Sequence, residues 1–233
     1  MNEEITGFIN MLADEASLIT MDYYNKNYDI KNKSEVSFDP VTAADLDVEK
    51  RLVSLITDKY PKAIIISEES NPIDSCEEPH WIIDPIDGTK AFIVGAPVWS
   101  TLIGYNDGNK TIVGLMDQPY LNVRYFGNLT HSILYNNGLE NIIKTNNTSA
   151  LSDSIITCTT PEMFSEKEMR KLENLNKVTK FCRWGLDALG YCLLASGKID
   201  IVIESNINNY DIQPLIPIIE SSGGVVTNWE GEE

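Results

Sequence analysis

Apolar residues recur at helical spacing in two stretches near the start of the chain. In the first stretch they are Ile5, Phe8, Ile9, Leu12, Ala16 and Ile19. This spacing predicts an amphipathic helix over residues 5–24, which a polar stretch follows from Asn25 to Asp39. In the second stretch one face carries Ala44, Val48, Leu52, Leu55 and Ile56. A second helix is therefore predicted to begin at Thr42 and to end at Tyr60-Pro61.

Short apolar runs after the second helix predict buried strands. Ala63–Ser67 and Trp81–Ile83 are two such runs, and acidic residues follow each of them at once. From Val98 to Phe126, apolar runs interrupted by Asn106–Asn109 and Gln118-Pro119 predict a meander of antiparallel strands. The first half is therefore expected to be an α+β unit with an antiparallel sheet.

The second half has an alternating pattern. The Asn- and Gly-rich tract from Asn136 to Ser149 is interpreted as the seam between a first domain, residues 1–147, and a second domain, residues 148–233. Strands are predicted at 154–159, 178–182, 199–204 and 225–227, and helices at 165–176, 186–195 and 212–221. This alternation predicts an α/β second half, so the whole chain is placed in a mixed α+β and α/β class.

The chain is strongly acidic. Its 233 residues contain 35 Asp and Glu against 18 Lys and Arg, which gives a formal charge of −17. Such a surface repels nucleic acid and anionic membranes, so neither is expected as a partner. An acidic protein that acts on an anionic substrate needs positive charge at the binding site. Divalent cations supply that charge more readily than its few basic side chains.

The cysteines, the histidines and the N-terminus narrow the class of protein. The cysteines are Cys76, Cys158, Cys182 and Cys192. Their spacing contains no CxxC pair, so reduced thiols are expected rather than a zinc site or a disulfide framework. His80 and His131 lack an acidic or Ser partner at useful spacing and are interpreted as surface or loop residues. Acidic residues interrupt the first twenty positions, unlike a secretory signal or a membrane span, and a cytoplasmic protein is predicted.

The sharpest local signal is the segment Trp81–Thr89, which reads Trp-Ile-Ile-Asp-Pro-Ile-Asp-Gly-Thr. It places Asp84 and Asp87 on a Pro-stiffened turn directly after a buried strand. Two carboxylates that converge there repel each other unless protons or cations lie between them, and oxygen-only ligands favour Mg²⁺, Mn²⁺ or Ca²⁺. Gly88 allows a ligand to approach the backbone, and Thr89 can open a helix whose amides bind phosphate. The alternative is that both Asp residues serve only as turn and N-cap residues.

Five motifs occur in the order of one known family. They are Asp39-Pro-Val-Thr42-Ala-Ala-Asp45, Ser67-Glu68-Glu69, Trp81 through Thr89, Tyr210-Asp211 and Gly223-Gly224-Val225. Over essentially its whole length the chain resembles the inositol monophosphatase family of metal-dependent phosphatases. The resemblance implies a layered αβαβα sandwich of the sugar-phosphatase type. It also implies that the first half binds metal and phosphate and that the second half binds substrate.

The resemblance implies a role for individual residues as well. One Mg²⁺ would be held by Glu68, Asp84 and the backbone carbonyl of Ile86, and a second by Asp84, Asp87 and Asp211. Two or three ions are expected, and Mn²⁺ can replace Mg²⁺.

Catalysis is assigned to three residues and phosphate binding to two backbone amides. Thr89 and Asp45 would orient or deprotonate the attacking water, while Glu69 would lie just outside the metal ligands. The amides of Gly88 and Thr89 would hold the phosphate. For Asp45 there is an alternative without catalysis, because Thr42-x-x-Asp45 is also a capping box that starts the second helix.

Further motifs are similar to the histidinol-phosphate phosphatase branch of the family. They are Gly114-Leu-Met-Asp-Gln-Pro-Tyr120, Cys158-Thr-Thr-Pro161, Asp187, Tyr191-Cys-Leu-Leu-Ala195, Tyr210-Asp-Ile212 and Ile216-Pro-Ile-Ile-Glu220. This resemblance implies that Asp187 and Glu204 contact the non-phosphate part of the substrate. Two carboxylates suit an ammonium or imidazolium better than a ring of neutral hydroxyls. Alternatively, Asp187 is a helix N-terminal charge and Glu204 a solvated strand end.

The chain departs from the family pattern at Ser67, Arg183-Trp184 and Gln213-Pro214, where smaller residues are usual. These departures are expected to change the pocket wall. Family members normally add a final strand and helix beyond the position of Glu233, so either the sequence is truncated or the protein lacks that edge.

The predicted activity is magnesium-dependent hydrolysis of a small-molecule phosphate monoester by a metal-activated water. L-histidinol phosphate is the first candidate substrate, which would place the enzyme in histidine biosynthesis. Inositol 1-phosphate or a broad range of sugar phosphates is the alternative. A catalytically decayed homologue that binds cations or partners is the alternative of another class. A homodimer is expected.

Overall fold

The computed structural model describes residues 2–24, 26, 30–32, 40–72 and 76–232, and the first part of the chain forms a seven-stranded sheet. The helices and strands of this part are α1 (Asn2–Tyr24), β1 (Ile30–Asn32), β2 (Pro40–Thr42), α2 (Ala43–Lys59), β3 (Ile64–Ser67), β4 (His80–Asp87), α3 (Thr89–Val94), β5 (Ser100–Asn106), β6 (Thr111–Gln118), β7 (Val123–Asn128), β8 (Ser132–Asn136) and β9 (Leu139–Ile142). Most of the predicted polar stretch, including Asp39, lies outside the described residues.

The two long helices pack their apolar faces against the sheet, as their periodicity predicts. Leu12 of α1 and Leu52 of α2 are fully buried in one cluster with Trp81, Ile83 and Phe126. At the start of α2, the side chain of Thr42 accepts a hydrogen bond from the Ala44 N–H, while Asp45 accepts one from the Thr42 N–H at 2.8 Å. The predicted capping box is therefore confirmed, and it fixes the first turn of α2.

The strands of the large sheet lie in the order β3-β4-β5-β6-β7-β8-β9. β3 and β4 are parallel, and every later pair is antiparallel, which confirms the predicted meander. The expectation that β4 ends in a turn after Ile83 is wrong. β4 continues to Asp87 with a register shift between Asp84 and Asp87, because β5 runs alongside and keeps pairing with it. A bulge tolerates Pro85, which has no N–H to donate, and it re-aims the side chains beside it.

The second half of the chain forms a smaller, three-stranded parallel sheet with helices. Its strands lie in the order β11-β10-β12, and the elements are β10 (Ile155–Cys158), α4 (Glu166–Asn176), β11 (Phe181–Trp184), α5 (Ala188–Ala195), β12 (Ile201–Val202), α6 (Asn209–Ile212) and α7 (Ile216–Ser221). Short 3₁₀ turns occur at Pro119–Leu121, Leu151–Asp153 and Pro161–Met163. The predicted alternation is thus confirmed in outline, and the chain is a layered α/β sandwich.

Several predicted boundaries in this half are wrong. The helix expected over 212–221 is two helices, because Pro214 has no amide hydrogen with which to continue the helical hydrogen bonds. β11 begins three residues later than the predicted strand at 178–182, and β12 is much shorter than 199–204. The strand predicted at 225–227 does not form, since an apolar run alone does not supply a neighbouring edge to pair with.

The predicted seam at Asn136–Ser149 contains β9, which pairs with β8 and extends the large sheet. The two halves also share a buried cluster, in which Leu102 and Met116 of the large sheet pack against Cys192 of α5 and Ile218 of α7. The division at residue 147 remains a prediction.

A row of three paired glycines lets the second half approach the large sheet closely. Gly104 pairs with Gly114, and Gly114 pairs with Gly127. A Cβ at Gly114 would lie 1.8 Å from the carbonyl oxygen of Pro214, and a Cβ at Gly127 would lie 2.4 Å from the amide nitrogen of Ile218. Only glycine permits these backbone contacts, which seat the segment that follows Asp211.

A buried ion-pair network joins α1 to the sheet. The Arg124 side chain, 17% exposed, donates from Nε to Asp117 at 2.8 Å and from Nη2 to Asp14 at 2.8 Å. Its Nη1 donates to the side-chain oxygen of Asn10 at 3.0 Å.

None of the helices in the described ranges combines the length and hydropathy that a bilayer span requires.

Candidate active site

A cavity of about 190 Å³ lies where β4 and α3 meet α5, α6 and the segment after β12. The residues that line it are Glu68, Asp84, Ile86, Asp87, Gly88, Thr89, Thr159, Met163, Asp187, Ala188, Tyr191, Glu204, Asn206, Ile207 and Asp211. The fold therefore brings together every predicted site residue except Asp45 and Glu69. Acidic residues from both halves share one small space.

Asp84 is buried on the bulged part of β4, with 2% of its surface exposed. Its Oδ1 is buried and accepts no hydrogen bond. Burial raises the pKa of Asp84 well above its ordinary value, and the nearby carboxylates of Glu68, Asp87 and Asp211 raise it further. An ionised Asp84 therefore needs a positive charge beside it.

Asp87, at the end of the same strand, links the two halves of the protein. Its Oδ2 accepts the backbone N–H of Ala188 at 2.9 Å, at the start of α5, and the Ser100 hydroxyl at 3.4 Å. Burial and the charge of Asp187 raise the pKa of Asp87 well above its ordinary value, although the Ala188 N–H opposes this rise. The alternative interpretation of Asp87 as a helix N-cap is thus partly right. The helix that its side chain caps is α5, which is distant in sequence.

The donor set fits a hard divalent cation. It consists of carboxylates and the Ile86 carbonyl, and oxygen donors of this kind are what Mg²⁺, Mn²⁺ and Ca²⁺ prefer. Oδ1 of Asp84 is buried and has no hydrogen-bond partner, so it is available to bind such an ion. Within the described ranges, no three Asp, Glu, His or Cys side chains already meet closely enough to share an ion. Carboxylates repel one another when no cation lies between them. We therefore expect these side chains to lie closer together once a cation is bound.

Asp211 reaches the cavity from α6. Its Oδ2 accepts the Asn208 N–H at 2.6 Å, which completes a capping box at the start of this short helix. Gln213 anchors the end of the helix to the large sheet, because its Oε1 accepts the Thr111 hydroxyl at 3.3 Å. The sequence position of Asp211 did predict a helix start, but only the packing of α6 against the sheet brings it to Asp84.

Asp45 and Glu69 lie outside the residues that line the cavity. Asp45 is fully buried, and its Oδ2 accepts the hydroxyl of Thr42 at 2.5 Å, while Oδ1 has no hydrogen-bond partner. Burial raises the pKa of Asp45 to about 6, although the hydrogen bonds from Thr42 lower it. The Thr89 hydroxyl donates to the carbonyl of Ile86 at 3.1 Å rather than to Asp45. The expected Thr89/Asp45 pair is therefore not hydrogen-bonded, because the Thr89 hydroxyl is used by the Ile86 carbonyl.

At Gly88 the two halves of the chain lie close together beside the cavity. It has φ +79°, and a Cβ there would lie 3.1 Å from Asp187 Oδ2 and 3.4 Å from the Cα of Trp99. The predicted helix after it is confirmed as α3, which begins at Thr89. A side chain at position 88 would strain the backbone and push Asp187 out of place.

Of the two predicted substrate residues, Asp187 does lie at a helix N-terminus, as its alternative interpretation expects, whereas Glu204 is not a solvated strand end. Asp187 occupies the N-cap position of α5 at φ +47° but makes no side-chain capping bond. Burial raises its pKa, which the charge of Lys90 lowers in part. Glu204 accepts the hydroxyls of Thr159 at 2.5 Å and Tyr191 at 3.2 Å. Burial raises the pKa of Glu204 to about 7 despite these two hydrogen bonds.

The structure also corrects several expectations about the wall of the cavity. The departures from the family pattern at Arg183-Trp184 and Gln213-Pro214 do not line it. Trp184 packs instead with Phe164 in a separate cluster, with ring centroids 6.4 Å apart. His80 is 2% exposed and buried at the start of β4, not on the surface. Thr159 and Tyr191 do line the cavity. Both belong to motifs that resemble the histidinol-phosphate phosphatase branch, but that resemblance implied no role for either residue.

Comparisons with known proteins identify the family of the chain. The family model described as "Inositol monophosphatase family" matches residues 1–233. The chain is 39% identical over 228 residues to the chloroplastic bifunctional phosphatase IMPL2 of Arabidopsis thaliana, covering 96% of this chain but only 64% of that relative's length. It is 27% identical to a histidinol-phosphatase of Chlorobaculum parvum, over 95% of this chain and 85% of the relative.

A solved structure gives the same result for the fold. An inositol monophosphatase from Zymomonas mobilis superposes with a TM-score of 0.85 at 28% identity, covering 99% of this chain and 87% of that one. The match spans both halves and therefore includes the elements that build the cavity. The chain belongs to the inositol monophosphatase family, a family of metal-dependent phosphatases.

Proposed function

We propose that the protein hydrolyses a small-molecule phosphate monoester with Mg²⁺ as its cation, and that L-histidinol phosphate is its substrate. The observation that carries the proposal is the division of acidic groups within one cavity. Glu68, Asp84, Asp87 and Asp211 surround one another, and Glu204, whose charge also acts on Asp87, differs from them in being hydrogen-bonded by two hydroxyls. The first group suits cations, and the second suits a positively charged part of the substrate.

The metal ligands in this proposal are Glu68, Asp84, the Ile86 carbonyl, Asp87 and Asp211. Two or three Mg²⁺ ions, replaceable by Mn²⁺, would neutralise the phosphate, lower the pKa of water and stabilise the leaving oxygen. The buried, unpartnered Oδ1 of Asp84 and its raised pKa support a cation at this point.

The remaining first-half residues would act on phosphate and water. The amides of Gly88 and Thr89, at the start of α3, are the donors proposed for the phosphate oxygens. Thr89 and Asp45 are proposed to orient the attacking water, with Glu69 next to the ligands. For this role the Thr89 hydroxyl has to leave the Ile86 carbonyl, and Asp45 retains one carboxylate oxygen, Oδ1, that has no hydrogen-bond partner.

The second half would select the leaving group. Asp187 and Glu204 offer carboxylate oxygens to an ammonium or imidazolium N–H, which forms stronger hydrogen bonds than a neutral hydroxyl does. The histidinol-phosphatase among the relatives supports this substrate and a role in histidine biosynthesis. The solved inositol monophosphatase favours the alternative, inositol 1-phosphate or sugar phosphates. A decayed, cation-binding homologue is less well supported, because the full set of proposed metal carboxylates is retained.

The test is phosphate release from a panel of monoesters at fixed Mg²⁺. We expect a higher kcat/KM for histidinol phosphate than for inositol 1-phosphate, and a narrower gap for Asp187→Ala. A charge-assisted hydrogen bond contributes roughly 1.5–3 kcal/mol, or about 10- to 150-fold in kcat/KM. Asp153→Ala removes an exposed carboxylate of the same half and serves as the control.

Two outcomes would contradict different parts of this proposal. Equal kcat/KM for the two esters on the wild-type protein would defeat the histidinol assignment and leave a phosphatase. Absence of phosphate release from every ester with Mg²⁺ or Mn²⁺ would favour the decayed homologue.

We further propose that the protein is a cytoplasmic homodimer. We also propose that it binds neither nucleic acid nor membranes, in keeping with its net charge of −17.

A further inference from the structure

Two hydroxyl groups from different elements converge on Glu204 inside the cavity. Thr159 Oγ1, directly after β10, donates to Oε1 at 2.5 Å, and the Tyr191 hydroxyl on α5 donates to Oε2 at 3.2 Å. The backbone carbonyl of Glu204 also accepts the Trp229 Nε1–H at 2.9 Å. Both the backbone and the side chain of Glu204 are therefore held by contacts from separate segments.

This arrangement is needed because no strand pairing fixes Glu204. β12 ends at Val202, and Glu204 lies two residues beyond it. A glutamate has several rotatable bonds, and holding it in one rotamer costs conformational entropy. The two hydroxyls offset that cost and leave the other lone pairs of the carboxylate for a donor in the cavity, since an ionised carboxylate has about four acceptor sites.

We propose that Thr159 and Tyr191 are positioning residues that give the cavity its preference for cationic leaving groups by fixing Glu204. This inference rests on the proposed function, in which Glu204 faces the leaving group. Neither hydroxyl has a second hydrogen-bond partner among the described residues. Their removal should therefore weaken the binding of a cationic substrate without changing the metal ligands or the chemical step.

The experiment compares Thr159→Val and Tyr191→Phe, which remove each hydroxyl and keep most of the side-chain shape. With Mg²⁺, we expect the KM for histidinol phosphate to rise roughly tenfold in each variant, the loss of about one hydrogen bond to a charged group. The kcat should stay within about twofold, as should the KM for inositol 1-phosphate and the Mn²⁺ affinity measured by titration calorimetry. Thr159→Ser keeps the hydroxyl and should restore the wild-type KM.

Thr157→Val is the matched control. Thr157 lies on β10, two residues before Thr159, but its hydroxyl donates to the carbonyl of Arg183 at 2.7 Å and not to Glu204. Its loss should lower Tm without a selective change in KM. A KM that is unchanged, or that rises equally for both esters in Thr159→Val and Tyr191→Phe, would overturn the inference.

A structural readout separates this inference from the proposed substrate. If the wild-type protein shows no preference for the cationic ester, the substrate assignment fails, and the crystal structure of the Thr159→Val/Tyr191→Phe double variant decides the positioning role. A Glu204 carboxylate displaced from its wild-type place would support that role. A carboxylate that stays in place would refute it.

Discussion

Arg124 offers a quantitative test of how α1 is held against the sheet. Replacing it with Met removes the partner of Asp117, whose side chain is only 7% exposed, at a distance of 2.8 Å. Leaving one member of a buried pair unpaired costs about 3–5 kcal/mol. The second partner, Asp14, is 69% exposed, and its share is at most about 1 kcal/mol. We therefore expect Arg124→Met to lose about 3–5 kcal/mol of unfolding free energy, a large part of the total of about 5–15 kcal/mol.

The pH dependence of this loss has a definite sign. Burial already raises the pKa of Asp117, against the lowering effect of Arg124, so removing Arg124 raises the folded-state pKa further. A folded state that binds more protons than the unfolded state loses stability as pH rises between the two pKa values. The deficit of Arg124→Met should therefore shrink as the pH falls toward the ordinary range of a carboxyl group.

The assay is urea unfolding of four proteins: wild type, Arg124→Met, Asp117→Leu and the double variant. The double variant should recover most of the loss, because replacing a whole buried pair with apolar groups is often nearly neutral. Phosphatase activity well below Tm should be unchanged, since this network lies outside the cavity. A loss below about 1 kcal/mol in Arg124→Met, or a double variant as unstable as the single one, would refute the reasoning.

The other predictions concern the site and its support. Asp84→Asn should abolish hydrolysis yet raise the Tm of the metal-free protein near pH 7, because it removes a buried carboxylate with a raised pKa; wild-type turnover would contradict the site assignment. Activity should require Mg²⁺ or Mn²⁺, and Ca²⁺ should inhibit through its looser coordination; full activity in EDTA would count against this. Gly114→Ala should cost at least about 3 kcal/mol in urea unfolding, since its Cβ would lie 1.8 Å from the Pro214 carbonyl oxygen. Its control is Gly7→Ala, with open space around the new Cβ, which should be neutral or stabilise slightly.

The sequence alone determined the features that depend on neighbouring residues. The capping box of Thr42 and Asp45 and the helical face with Leu12 need only a few adjacent positions, and both are present in the structure. The acidic segment around Asp84 and Asp87 was recognisable for the same reason, because its chemistry lies within one short motif.

The tertiary structure decided what depends on partners distant in sequence. β4 runs on through Asp87 because β5 pairs with it, and the helix expected over 212–221 breaks where Pro214 crosses the glycine row. The same packing brings Asp211 and Glu204 into one cavity with Asp84, and it places Asp45 outside that cavity. Periodicity and capping are local, whereas the burial and the repulsion that raise the pKa of Asp84 arise only when folding brings carboxylates from separate segments into one buried space.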